Sequence, residues 1–222
     1  MFPIKDNVPS RAFPFGNTLL IAANLAAFYY ELRLDQRGLL QPFINTRALI
    51  PTAFWNDPRA QWQTIYYAMF LHGGWMHIIG NMWYLWIFGR SVENRLGSLS
   101  YVVFYLLAGT LASLSQAYFF PESRMPMIGA SGAIAGILGA YFLLYPRAHV
   151  LTLIPFGFFS RFVEVPALLF LAFWFLLQAF QGVGSLALAH HAGEAGGVAW
   201  WAHAGGFVAG AVLIPFFPKR RR

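Results

Sequence analysis

Apolar runs of bilayer length are the strongest constraint on this chain. Six segments, near residues 17–34, 75–90, 99–120, 131–146, 163–181 and 198–217, are long enough, or nearly so, to cross a hydrocarbon core. Hydrophobic residues make up 58% of the chain, charged residues only 10%, and Phe occupies 23 positions. No soluble single domain needs that much apolar side chain, so the expected solvent is a bilayer. The expected fold is an all-α membrane protein, a six-helix bundle spanning residues 17–217. A cytoplasmic segment at 1–16 precedes it and a basic tail at 218–222 follows it. The chain has no cysteine, which excludes disulfides and thiolate metal sites. Net charge is +7, but the basic residues are scattered and the "KRRR" run is terminal. That run is read as an anchor to anionic lipid, with no nucleic-acid partner implied. The opening "MFPIKDNVPSRAFPFG" fits neither a cleaved signal nor an Arg/Ser-rich transit peptide.

Lys and Arg set an orientation. With the first residues inside, Lys5, Arg11, Arg90, Arg95, Arg147, Arg161 and Lys219 to Arg222 all fall inside, ten of the fifteen basic residues. Four of the other five lie in one long outer segment, from about residue 33 to 74. There "AFWNDPRAQWQTIYYAMF" mixes Trp55, Trp62, Tyr66 and Tyr67 with polar residues. Such a mixture suits the membrane interface and predicts a structured loop with a short amphipathic helix. No internal repeat is evident, unlike many transporters.

Strongly polar residues within spans are rare without a functional reason. Here they are His77 and Asn81 in the second span, Ser131 in the fourth and His203 in the sixth. Those spans run in one direction and end inside at Arg90, Arg147 and Lys219. At about 1.5 Å per residue, His77 lies about 20 Å above its basic end, and Ser131 and His203 about 24 Å above theirs. In a core roughly 30 Å thick, all three sit several Å below the outer surface. Asn81 shares the helix face of His77, one turn deeper. The "GASGAIAG" and "AHAGGFVAG" runs place glycines four residues apart, at Gly132 and Gly136 and at Gly206 and Gly210. That spacing predicts close packing of spans four and six, which brings Ser131 toward His203.

A serine needs a base to act as a nucleophile at neutral pH, and histidine is the usual one. A serine at a helix start also lies beside unpartnered N–H groups at a positive dipole end. The Ser131 N–H, with His77 and Asn81, can then hold the oxyanion of a tetrahedral intermediate. Gly129 and Ala130, just before the serine, belong to the same candidate oxyanion and substrate-binding set. Glu93 and Glu164 map to the inner side, and Glu122 and Glu194 to outer loops. No carboxylate suits a third catalytic place unless a folded outer loop brings Glu194 inward, so a Ser–His dyad is expected. The site calls for no cofactor or metal.

These residues resemble the rhomboid family of intramembrane serine proteases. "HGGWMHIIGNMWYLWIFGRSVENRLG" (72–97), "GASGAIAG" (129–136) and "AHAGGFVAG" (202–210) are similar to its signature blocks, in the family's order. The resemblance covers residues 16 to 217 and is highly specific in combination. It implies that Ser131 is the nucleophile, that His203 is the general base and that His77 and Asn81 help bind the oxyanion. It implies cleavage of single-span or multi-span membrane proteins that enter sideways past the fifth span, the Phe-rich "FLAFWFLLQAF". A multi-pass protein of a bacterial inner membrane, with both termini cytoplasmic, is expected. The chain departs from many bacterial members at Trp62-Gln63, where they carry Trp-Arg. It departs from others at Ala135, where a tyrosine supports the base; Trp200, Trp201 and Phe207 are candidates to replace it. His72 is assigned a loop or capping role.

Two other readings compete on sequence grounds. One is a rhomboid-like pseudoprotease, although such members typically lack the serine or histidine that this chain keeps. The other is a transporter or metal carrier using His72, His77, His190, His191 and His203. No His-Glu-x-x-His motif and no acidic companion to the buried histidines support that second reading.

Overall fold

The computed structural model describes residues 2–9, 12–156, 159–192 and 199–218; the side chains of 156 and 186–192 fall outside the description. Arg11, Glu194 and the basic run from Lys219 to Arg222 also lie outside the described residues. The chain is mostly helical. A strand β1 (Phe2–Asp6) leads into α1 (Phe15–Asp35). Three short helices follow, α2 (Leu40–Arg47), α3 (Pro51–Asn56) and α4 (Pro58–Ala68). The next helix is continuous through α5 (Trp75–Tyr84), a π-helical turn at Leu85–Gly89 and α6 (Arg90–Leu96). Then come α7 (Ser98–Phe119), α8 (Ser131–Leu144), β2 (His149–Phe156) and β3 (Phe159–Pro166). Last are α9 (Ala167–Ala192) and α10 (Trp200–Leu213), which ends in a 3₁₀ turn at Ile214–Phe216.

Helix α8 is the axis of the bundle. Every residue from Gly132 to Tyr141 is buried. A helix that is apolar all round belongs at the centre of a bundle, and this one is short because its neighbours rather than lipid surround it. Helix α7 covers it with Tyr101, Phe104, Tyr105, Ala108 and Ala112, spaced at helical intervals and all fully buried. The outward face of α9 carries Leu169, Phe173, Leu176, Phe180 and Val183, all exposed and again at helical spacing. Water would not tolerate so continuous an apolar stripe, whereas lipid matches it. By length and apolar content, α7 and the Ala167–Ser185 part of α9 suffice to cross a membrane; α8 and α10 are shorter apolar helices.

The closest helix–helix approach joins α8 to α10, which run parallel. A Cβ added at Gly206 would meet the Gly132 carbonyl oxygen, and one at Gly210 the Gly136 carbonyl oxygen. A Cβ at Gly139 would meet the Phe207 carbonyl oxygen, with Ala211 N at 3.1 Å. Backbone therefore lies on backbone along this seam, as the four-residue glycine spacing predicts.

Carboxylates tie down the helix ends. Glu93 accepts the Gly16 and Asn17 N–H groups at 2.8 and 2.7 Å and so caps α1. It also accepts the Ser98 hydroxyl. Asp6 accepts from Arg90 at 2.8 Å, from Ser91 at 2.6 Å and from Tyr141 at 3.0 Å. That cluster pins the first strand to α6 and α8.

Three expectations need correction. The fold is not all-α: β1, β2 and β3 form an antiparallel sheet in that order, pairing Phe2 with Leu153 and Val150 with Val165. The sheet goes unread because β1 is short and broken by Pro3, and β3 is almost wholly exposed, so neither alternates clearly. The fifth helix begins at Ala167, not 163, because 159–166 is strand β3. It continues to Ala192, so His190 and His191 lie on helical backbone; their side chains are outside the description. The long outer loop holds three short helices instead of one.

Two tests follow from these contacts. Gly210→Ala should lower the thermal midpoint of the purified protein by the equivalent of about 1–3 kcal/mol, the usual cost of overpacking. Gly184→Ala, where a Cβ meets nothing within 4 Å, should leave the midpoint unchanged or slightly raised. Asp6→Ala strips three buried or half-buried donors of their acceptor and should cost about 1–3 kcal/mol. Lys5→Ala, on the exposed side of the same strand, is the neutral control in the same melting experiment.

Candidate active site

Because α8 and α10 run parallel and touch near their starts, residues in their first turns meet. Ser131 is the first residue of α8 and His203 lies in the first turn of α10. The Ser131 hydroxyl and His203 Nε2 are 2.8 Å apart, a hydrogen bond. Both open into a cavity of about 640 Å³ that His77 and Asn81 also line. Four polar residues taken from three separate helices thus share one concavity.

The starts of the two helices are treated differently. Gln116 on α7 accepts the N–H groups of Trp201 and Ala202 at 3.0 and 3.2 Å, capping α10. Among the described residues, no side chain accepts from the first-turn N–H groups of α8, and the side chain of Ala130 at its N-cap offers no acceptor. Its first-turn N–H groups, at the positive end of the helix dipole, keep their capacity to bind an anion. Gly129 precedes this start at φ +126°, a conformation reserved for glycine. A Cβ there would also lie 2.7 Å from His77 Nε2, so the glycine lets the imidazole reach the serine's turn. Ala130 is fully buried behind it.

The histidine on α5 has a defined polarity. Gly73 N–H donates to His77 Nδ1 at 3.4 Å, which leaves Nε2 to carry the proton of the neutral ring. Nε2 is the atom that approaches Gly129. Asn81 is buried and its Nδ2 has no partner among the described residues. His77 and Asn81 thus line the same cavity as the serine.

His203 is held by Trp200, one of the three expected residues, and by two groups on α9 that were not expected. Its Nδ1 bonds Gln178 Oε1 on α9 at 2.7 Å. Trp174, one turn earlier on α9, flanks the ring at 6.0 Å between centroids, and Trp200 stands edge-on at 6.2 Å. Trp201 instead stacks on Phe119 and donates to the Gly182 carbonyl. Phe207 packs on Phe142, Trp174 and Phe175. Ala135 is fully buried in the core. The sequence did carry a signal for Gln178: it is the one polar side chain in "FLAFWFLLQAF".

Among the described residues, no carboxylate bonds either ring nitrogen of His203. Glu93 and Asp6 are bound at helix ends, while Glu122 and Glu164 are exposed. Glu31, on α1, accepts the His72 N–H through both oxygens, at 3.0 and 3.1 Å. His72 therefore sits in a loop, as expected, and does not line the cavity. Burial, and next the proximity of His77, pushes His72 down to about 4, so it is neutral. No three His, Asp or Glu side chains among the described residues converge as a metal site requires.

Comparison with known proteins places this site in a family. The model of the Rhomboid domain matches residues 59–220. Rhomboid-like protein 11, chloroplastic, of Arabidopsis thaliana is 28% identical over 133 residues, covering 60% of this chain and 43% of that protein. Rhomboid protease GluP of Bacillus subtilis is 39% identical over 87 residues, covering 39% of this chain and 16% of that protein. Rhomboid protease GlpG of Haemophilus influenzae is 29% identical over 111 residues, covering 50% of this chain and 56% of that protein. The chain thus spans about half or less of the length of these relatives. With the family model matching most of its length, the chain belongs to the rhomboid family of integral membrane proteins.

Proposed function

We propose that this protein is an intramembrane serine endopeptidase working through a Ser131–His203 dyad. The observation that carries the proposal is the 2.8 Å contact between Ser131 Oγ and His203 Nε2 inside a cavity that His77 and Asn81 share. In the proposed reaction, Ser131 Oγ attacks the scissile carbonyl carbon as its proton passes to His203 Nε2. The oxyanion that forms accepts from the Ser131 N–H, His77 Nε2–H and Asn81 Nδ2–H. Gly129 and Ala130 shape the chain beside it. Collapse breaks the C–N bond, and His203 returns the proton to the leaving amine. Water, deprotonated by the same histidine, then hydrolyses the acyl-enzyme and restores Ser131.

The proposed topology has six spans: α1, α5–α6, α7, α8, α9 and α10. The Lys/Arg bias supports both termini inside and the cavity opening outward. Substrates are proposed to be membrane proteins whose helices reach the cavity from the lipid past α9. The two bacterial relatives suit a bacterial inner membrane.

Ser131→Ala should reduce cleavage of a purified single-span substrate to background while the protein stays folded; retained cleavage would sink the nucleophile assignment. Fluorophosphonate should label the wild type at Ser131, which a metal carrier or a pseudoprotease would not allow. Asn81→Ala, which removes one oxyanion donor, should lower kcat by about 10²–10³-fold. A reporter enzyme active only outside the cytoplasm, fused after Arg222, should be silent; activity would overturn the orientation.

A further inference from the structure

We infer that Gln178 on α9 is a positioning residue for the base, holding His203 in the one neutral tautomer that can take a proton from Ser131. The inference rests on the reading of Ser131 and His203 as nucleophile and base.

A neutral imidazole carries one N–H. For the Ser131 hydroxyl to donate to Nε2, that nitrogen must be bare and the proton must sit on Nδ1. An N–H on Nδ1 then needs an acceptor, since the ring is flanked by Trp174 and Trp200 and an unpartnered buried donor is costly. Gln178 Oε1 stands 2.7 Å away and is itself buried. The opposite tautomer would direct Nε2–H at the serine and leave two acceptors facing each other at Nδ1 until the amide turned over. With its oxygen toward the ring, Gln178 disfavours the unreactive form.

When Ser131 gives up its proton, His203 becomes a cation with donors on both nitrogens. Gln178 keeps one of them bonded throughout, so no new partner has to be recruited during the reaction. An amide can do this in a membrane span at less cost than the carboxylate of a soluble triad, because it carries no charge into the apolar layer. Trp174 and Gln178 are four residues apart, on one face of α9. One helix face thus supplies both the ring's flank and its hydrogen-bond acceptor.

The test compares wild type with Gln178→Leu, which keeps bulk but has no acceptor, and Gln178→Glu, which restores one. Full-length protein labelled with ¹⁵N-histidine, with His203→Ala to assign the resonances, reports the tautomer directly. The wild type should show Nδ1–H at His203, and Gln178→Leu should shift population toward Nε2–H. Fluorophosphonate labelling and kcat should fall by about 10- to 100-fold in Gln178→Leu with KM unchanged, and Gln178→Glu should recover most of the loss. A Leu variant with wild-type ¹⁵N shifts and labelling rate would overturn the inference. So would a Glu variant as slow as the Leu variant with a matching melting temperature. The nitrogen shifts need no proteolysis, so they judge Gln178 even where Ser131→Ala has already decided the protease reading.

Discussion

Backbone contact between α8 and α10 is the constraint on which the rest of the structure depends. Where Gly206 meets the Gly132 carbonyl and Gly210 meets that of Gly136, any larger residue would push the helices apart. In lipid there is little hydrophobic force to draw helices together, so this tight packing must supply the attraction itself. The contact also sets the site. It aligns two parallel helix starts and leaves one hydrogen bond's length between Ser131 and His203. An increase of about 1 Å between the two helix starts would take that contact out of hydrogen-bond range.

Polar groups around this seam divide by task. Buried carboxylates hold helix ends and a loop: Glu93 caps α1, Asp6 anchors β1 to α6 and α8, and Glu31 holds the loop at His72. Amides serve beside the candidate site, where Gln116 caps α10 and Gln178 meets His203. Each buried polar group is stabilised by the hydrogen bonds it makes. The uncapped start is the one that begins at Ser131, and capping the neighbouring helix while leaving this one open concentrates unsatisfied N–H groups at the candidate oxyanion position.

Much of this was legible in the sequence because membrane helices leave periodic and compositional marks. The helical segments, the glycine seam and the grouping of His77, Asn81, Ser131 and His203 around one cavity all come from spacing. The sheet was not legible. Its strands pair residues far apart in sequence, Phe2 with Leu153, and the exposed β3 alternates poorly because both of its faces are open. Strand pairing depends on a partner that local pattern does not name. The support of His203 was read only in part: Trp200, near it in sequence, does stand against the ring, whereas Gln178 and Trp174 reach it from another helix.

By itself the sequence determined which residue types could carry the chemistry and at what depth along each helix they would lie, because a fixed rise per residue converts spacing into distance. It also determined that α8 and α10 could approach closely, because only glycine leaves room for a facing carbonyl. Tertiary structure decided which helix faces turn toward one another. Rotation of α9 about its axis is set by packing, not by its apolar composition, and that rotation brings Gln178 to the imidazole of His203. Packing likewise decided that Gln116 would cap α10 while the start of α8 stayed open, since side chains from a third helix had to be in place before either end could be satisfied.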